Sequence, residues 1–595
     1  MDKRKIAKSL AVFATTLLVI IVGVASFAYF GAFNIDLNGN VAVNINAVSP
    51  GDASFISTAT QLNLQVPAAN MSYTAANNTV AAKEDTAYLD VTLTGSANLL
   101  TTCTYDIVYE YDSGSNVYGQ GTTTKTSGAT KEITIEVNGM NGNNHFATET
   151  NFDHANVQSY YDSTNKYYKL VENATIKSLG TEQSVRWKVI GRYYNLEVSQ
   201  SQLGGQVFTG KIYAISKGCS SEDGTTIQSG YQTILANNGG KTAIEAKTIP
   251  DFTKSATTNE GMYAAQDDLG TSYYFRGAVD NNWVKYGKYT KDTYYAYDDD
   301  QNFSLVNSCN GLEKCFKIAS KGDDMYWRII RVNGDNSIRM IYAGTYAPDI
   351  NTKVTLFENN FDEDNNAIPM KTSVGYSKFN KKNNSAEYAG YMYTVGQQHG
   401  TSQSSDIKTY LEDWYANYTN LNVTGTKITD QIYCNDRTAS TDSSGTPGEI
   451  SSWASTGTYY AYGPYLRLYG DSSNPAPSLI CSNTNDKFST TTSKGNGKLS
   501  YPVGLITADE VAMAGANNQV NSNSNYYLYT RDYDLVGSPY DFVGGSRANE
   551  FYVDAKGYLD WFRVNIYGGV RSVVSLSSDV KLLGSGTYDD VYVVS

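Results

Sequence analysis

Histidine is almost missing from this 595-residue chain, which holds His145, His154 and His399 alone. So few imidazoles leave little room for histidine-based acid–base or metal chemistry, and the three are read as exposed loop residues. Cysteine is also sparse: Cys103, Cys219, Cys309, Cys315, Cys434 and Cys481, with no CxxC pair. The missing CxxC disfavours a zinc ribbon or a thioredoxin-like motif. Six cysteines in an exported chain allow 15 pairings; the nearest two, Cys309 and Cys315, would close the short loop Asn310–Lys314. Charged residues make up only 18% against 41% hydrophobic, which suits neither a coiled coil nor a charge-driven disordered chain. Basic runs are absent beyond the first eight residues and the net charge is -13, so a nucleic-acid footprint is excluded. No GxSxG elbow, HExxH, Walker-type loop or dinucleotide fingerprint occurs.

What is abundant is glycine and tyrosine, 51 and 50 residues, against 11 prolines. That balance suits many strands, tight turns and aromatic-rich polar surfaces. At the N-terminus, residues 1–8 carry Lys3, Arg4, Lys5 and Lys8, and 9–34 carry no charge. As a helix those 26 residues would run about 39 Å, enough to cross a hydrocarbon core of about 30 Å. A cleaved signal's apolar region is shorter, about 7–15 residues, so we expect an uncleaved signal anchor. The flanking lysines place residues 1–8 in the cytoplasm and the C-terminal bulk outside the cell membrane.

A small polar spacer is expected at 35–50, then alternating strands. Leu89, Val91 and Leu93 alternate with polar residues, as do Cys103, Tyr105, Ile107 and Tyr109; Ile133, Ile135 and Val137; and Val185, Trp187 and Val189. Short alternating strands separated by Gly/Asn/Ser turns predict an antiparallel immunoglobulin-like β-sandwich over 51–216. Residues 217–300 read as a connector or insertion, with a hairpin-compatible patch over 261–287.

From residue 301 the apolar and aromatic density rises, predicting an α+β domain over 301–595. Tyr326–Val332 and Ser337–Tyr342 flank Asn333-Gly334-Asp335-Asn336, a hairpin signal. Ile407, Leu411 and Trp414 fall at helical spacing after Ser404 and Ser405. Thr507 and Glu510 have capping-box spacing ahead of a short helix. Strands are expected at Tyr526–Thr530, Glu550–Asp554, Tyr558–Trp561 and Val570–Leu576. The acidic runs Asp298-Asp299-Asp300 and Asp362-Glu363-Asp364 lack the twelve-residue calcium-loop spacing. Their oxygens are ligands of the kind calcium takes, but the runs read as solvated loops, and no cofactor is expected.

The order of a Tyr-Trp-Arg-Ile hairpin, a Leu-x-x-Trp-Tyr helix, Gly504-Leu-Ile-Thr-Ala-Asp-Glu-Val511, a Ser538-Pro539 turn, Val553-x-x-x-Gly-Tyr-Leu559 and Gly569-Val-Arg-x-Val-Val-x-Leu576 resembles a known family. It is similar to the C-type-lectin-like surface proteins of gut-type Gram-positive bacteria, allied to the formylglycine-generating-enzyme-like and variable-protein branches of that fold. The resemblance spans about 261–595. Two positions depart from it: Leu535-Val536-Gly537 precedes Ser538-Pro539 where relatives carry Trp-x-Leu, and Ser572 replaces the proline of Gly-Val-Arg-Pro. The resemblance implies a C-terminal stretch, 525–571, that displays ligand-contacting side chains. In the branch diversified by retroelements, that stretch is rewritten at adenine-containing codons. The expected ligand-binding residues are Arg531, Tyr533, Asp534, Tyr540, Asp541, Arg547, Asp560, Trp561, Phe562, Arg563, Asn565 and Tyr567, set in a framework including Phe551, Val553, Leu559, Val564 and Arg571. On a strand only one of Trp561 and Phe562 can face inward, and Trp, Tyr and Arg dominate recognition hot spots. By analogy with formylglycine-generating enzymes an oxidase would need a reactive cysteine pair, but Cys434 and Cys481 are read as a structural disulfide. The expectation is thus a non-enzymatic cell-surface binder of a protein or glycan ligand. The alternatives are an extracellular enzyme on the same fold and a structural, pilus-like subunit.

Overall fold

A computed structural model describes residues 45–46, 54–65, 81, 83–95, 99–111, 132–139, 141–152, 154–194, 207–224, 227–346, 348, 372–470, 474–517, 523–544 and 547–595. The expected anchor at 9–34, the segment 1–8 and the acidic run at 362–364 lie outside these residues. Among the described residues no helix is long and apolar enough to cross a membrane. The chain is mainly β, 45% strand and 12% helix, and divides into two compact units, Met1–Thr226 and Ile227–Ser595.

In the first unit, alternation dictates the architecture. Strands β1 (Lys83–Thr94), β2 (Leu99–Tyr111), β3 (Ile133–Asn138), β4 (Tyr167–Leu179), β5 (Gln183–Tyr193) and β6 (Val207–Asp223) bury every second residue over much of their length. They form two antiparallel sheets, β1, β5 and β3 neighbouring in one, and β6, β2 and β4 in the other. The inner faces meet through Trp187 of β5, whose indole N–H donates to the Tyr105 hydroxyl of β2 at 3.0 Å. A buried indole needs such a partner, because leaving its N–H unpaired costs on the order of 1–3 kcal/mol. Cys103 and Cys219, directly opposed on β2 and β6, are joined. Two boundaries are corrected. Ile45–Asn46, placed in the spacer, pairs with Ser54 and Phe55; and β6 runs on to Asp223, beyond the expected end at 216.

The second unit begins at Ile227, so 227–300 is no connector but the start of this unit's own sheet. Strands β7 (Asn259–Asp267) and β8 (Gly270–Gly277) form a hairpin. Beside them lie β9 (Trp283–Lys288), β10 (Asp324–Val332) and β11 (Ile338–Gly344), the last two closing the expected hairpin around Asn333–Asn336. Strand β10 is buried along its whole length, since the sheet is covered on both sides. Helix α1 (Asp406–Tyr418) starts where the Ser405 hydroxyl accepts from the Lys408 N–H and buries Ile407, Leu411, Trp414 and Tyr418 on one stripe. Trp414 donates to the Tyr289 hydroxyl, which donates to that of Tyr342. Helix α2 (Ala508–Ala514) carries the capping box: Thr507 Oγ1 accepts from the Glu510 N–H and Glu510 Oε2 from the Thr507 N–H. The same Glu510, 3% exposed, is ion-paired with Arg331 and Arg339 of the hairpin at 2.9 and 2.7 Å. A surface cap would need no such partners; here the cap ties helix to sheet.

A second, seven-stranded sheet contains β12 (Asp534–Val543), β13 (Arg547–Val553), β14 (Leu559–Arg563) and β15 (Tyr567–Gly569), while β16 (Val573–Leu576) returns to β11. The expected strand Tyr526–Thr530 is instead a turn, its Tyr526, Tyr527 and Leu528 side chains buried. The Ser538-Pro539 turn is also corrected. Both residues lie inside β12, opposite β13, with register breaks on either side of Pro539. Proline has no N–H for the ladder, so an inner strand holds it only where the pairing is already irregular.

Candidate functional site

Strand β12 pairs on both flanks, whereas β14 pairs with β13 alone. Position in the sheet therefore sorts the expected ligand residues. Trp561 of β14 is 39% exposed, and Tyr533, immediately before β12, 44%; Arg531 and Arg563 are exposed too. Arg547, Asp560, Phe562, Asn565 and Tyr567 are half-buried. Asp534, Tyr540 and Asp541, expected to meet a ligand, are buried within 9% exposure, because β12 is an inner strand. Of the pair expected to divide between inside and outside, Trp561 is exposed and Phe562 half-buried. The framework positions Phe551, Val553, Leu559, Val564 and Arg571 are all buried.

The two faces of the ribbon carry separate aromatic groups. On one, Phe562 lies flat on Tyr552 with ring centroids 3.6 Å apart, and Tyr533 leans on both. The Tyr552 hydroxyl donates to Asp560 at 3.3 Å; Arg531, exposed, has a left-handed φ of 66°. On the other face Trp561 lies 6.1 Å from Tyr540, which is packed by Tyr465, Tyr469 and Phe551. Tyr552, Tyr465 and Tyr469 were missed in the sequence. Their signals were the apolar run Phe551-Tyr552-Val553 and the four-residue spacing of Tyr465 and Tyr469 after Pro464. Tyr567 turns away, onto Phe303 and Tyr376, and Asn565 accepts from Asn383.

The edge of β14 is closed by the protein itself. Leu559 N–H donates to the Asn517 carbonyl, and the Tyr469 hydroxyl donates to the Leu559 carbonyl. The Trp561 N–H donates to Asp560 Oδ1, and the Arg563 carbonyl accepts from Ile566. An edge with most of these polar groups taken offers little to an added strand, so what it presents outward is chiefly side chains.

Burial sets the charge beneath this ribbon. It raises Asp541 to about 6, raises Asp532 and Asp534 above the usual carboxylate range despite Arg571, and raises Glu550 well above it. Asp541 is held by Asn549 Nδ2 at 2.6 Å, and Asp532 by the Tyr376 hydroxyl at 2.7 Å.

Elsewhere, Cys309–Cys315 and Cys434–Cys481 are joined, and every cysteine is disulfide-bonded. Two histidines depart from the exposed-loop reading. The His399 side chain, 7% exposed, meets Asp486 at 2.8 Å; that of His145, 11% exposed, meets Glu172 at 3.0 Å and stacks on Tyr160. Asp298 is engaged by Asn302 and Asp299 by Lys314. Among the described residues no group of three His, Cys, Asp or Glu side chains is placed to hold a metal ion. A cavity of about 30 Å³ lies among Arg331, Arg339, Arg467, Asp436 and Asp509, room for about one water. Compared with protein-family models, curated proteins and solved structures, the chain matches none.

Proposed function

We propose that this chain is a membrane-anchored cell-surface binding protein, in which an immunoglobulin-like sandwich carries a C-type-lectin-like domain that holds a protein or glycan ligand on the β13–β14 ribbon. The observation that supports this most is the exposed Trp561 and Arg563 on an edge much of whose backbone is already paired, with the exposed Tyr533 stacked on Phe562 of the same strand. Exposed aromatics in such a setting recognise by stacking, and rigid rings lose little rotamer entropy on binding. The neighbouring arginines supply forked donors for carboxylates or sugar hydroxyls. The packed tyrosines behind the ribbon hold it in place, so residues at the surface can vary without loss of the fold. That is the property a diversified segment at 525–571 requires, and adenine-focused variation in those codons across cells of one strain is its expected genetic signature.

The test presents the full chain to arrayed glycans and to extracted cell-surface proteins, which separates the two ligand classes. Trp561→Ala and Arg563→Ala are each expected to weaken the captured interaction by 30-fold or more, given about 2 kcal/mol for a hot-spot side chain. Unchanged affinity in both variants, with unchanged unfolding, would overturn the assignment of this face.

A further inference from the structure

Three strands of the first unit bring an amine, a carboxamide and a carboxylate together. Asp106, 8% exposed, sits on β2, which lies between β6 and β4 in its sheet. Both neighbours break register beside it, β4 between Val171 and Ala174 and β6 between Ser216 and Gly218. The inserted residues include Asn173, in the left-handed conformation at φ 57°, and Lys217. A bulge re-aims the side chain of the residue it inserts. Here two bulges, on opposite sides of one strand, aim at one carboxylate. Lys217 Nζ stands 2.7 Å from Asn173 Oδ1 and 3.5 Å from Asp106 Oδ1. The Asn173 N–H donates to that same Asp106 oxygen at 2.8 Å, which fixes the asparagine over it.

We propose that this is a self-modification site, at which Lys217 and Asn173 become joined by an intramolecular amide bond with Asp106 as the proton carrier. The lysine ammonium gives a proton to Asp106, and the freed Nζ lone pair attacks the Asn173 side-chain carbonyl carbon, one bond beyond the oxygen it already touches. Asp106 returns its proton to the oxygen of the tetrahedral intermediate. Collapse breaks the Cγ–Nδ2 bond, and the departing nitrogen takes that proton and one of the two protons still on Nζ, leaving as ammonium; the other stays as the amide N–H. One C–N bond forms and one breaks. Nothing is oxidised or reduced, and no co-reactant is consumed. Amines and carboxamides are inert to one another in dilute solution; fixed contact supplies the effective concentration and the carboxylate supplies the proton transfers. Lys217, 42% exposed, leaves ammonia a path to solvent. The product ties β4 to β6 across β2, two residues from Cys219, itself bonded to Cys103 of β2, so three adjacent strands are fastened covalently at one level.

The test is peptide mass mapping of the full chain after reduction, alkylation and trypsin. Amide formation blocks cleavage after Lys217, so residues 170–177 are expected linked to residues 212–241, lighter than their sum by one ammonia, about 17 Da. Asp106→Asn is expected to return three linear peptides, residues 170–177, 212–217 and 218–241, with cleavage after Lys217. Wild-type protein that gives only the linear peptides, even after prolonged incubation, overturns the proposal. A linkage that persists in Asp106→Asn overturns the role given to Asp106.

Discussion

Replacing Asp541 by asparagine tests whether burial beneath the ribbon sets its charge. The carboxyl is 8% exposed and hydrogen-bonded by Asn549, and burial, outweighing that bond and the attraction of Arg547, raises it from 3.8 to about 6. The folded unit therefore keeps the proton through a range where the unfolded chain has lost it. The folded state is favoured most below about pH 4, and this contribution falls as the pH rises to about 6 and is absent above it. At about 1.4 kcal/mol per tenfold in proton affinity, the span is on the order of 3 kcal/mol. Asparagine keeps the oxygen that accepts from Asn549 and carries no charge at any pH. Asp541→Asn should thus match wild type at pH 4 and exceed its stability by about 2–3 kcal/mol at pH 8. Asp532, Asp534 and Glu550 slope the same way, so the quantity to read is the variant-minus-wild-type difference. Urea unfolding followed by tryptophan fluorescence serves, because five of the six tryptophans, all but Trp187, lie in Ile227–Ser595. A difference that is the same at both pH values, or a variant less stable at pH 8, would refute the reasoning.

Arg437→Met should cost about 3–5 kcal/mol in denaturant unfolding, because it removes the guanidinium from a buried carboxylate: Asp486, 0% exposed, takes three bonds from the backbone and guanidinium of Arg437 and is left with that backbone N–H and His399. The isosteric double change Arg437→Met with Asp486→Leu should recover part of that loss. Removing Cys103–Cys219, which closes a separation of 116 residues, should destabilise the first unit by about 5 kcal/mol on the loop-entropy relation. The separation of 6 at Cys309–Cys315 predicts only about 2 kcal/mol for the second unit on the same relation, and midpoint shifts of equal size in the two double-serine variants would contradict it.

What could be seen in the sequence was whatever depends on one wet face or on local chain chemistry. The strands around Leu89, Tyr105, Ile135 and Trp187 alternate because each has a face toward its partner sheet and a face toward water. The Thr507 and Glu510 pair and the Ser405 cap are contacts across three residues, so spacing alone reveals them. Strand β12 shows the opposite case. Asp-Leu-Val-Gly-Ser-Pro-Tyr-Asp-Phe-Val has no period of two, because both faces are covered and nine of its ten residues are buried. Its polar and proline residues therefore looked like surface and turn. Whether Asp541 or Trp561 meets a ligand turns on whether its strand is inner or outer, and strand order is a long-range property with no local trace.

The same limit explains Lys217 and Asn173. Separated by 44 residues, each reads locally as an ordinary solvated polar residue, and only two bulges in register on either side of Asp106 make them neighbours. An ion pair or hydrogen bond at a half-exposed surface position needs no bulge, since lysine reaches a partner by rotamer alone and gains under about 1 kcal/mol there. Two register breaks, each giving up ladder hydrogen bonds, are poorly matched to so small a return. They are well matched to a covalent bond, for which the contact geometry of amine, carbonyl and carboxylate is the requirement itself.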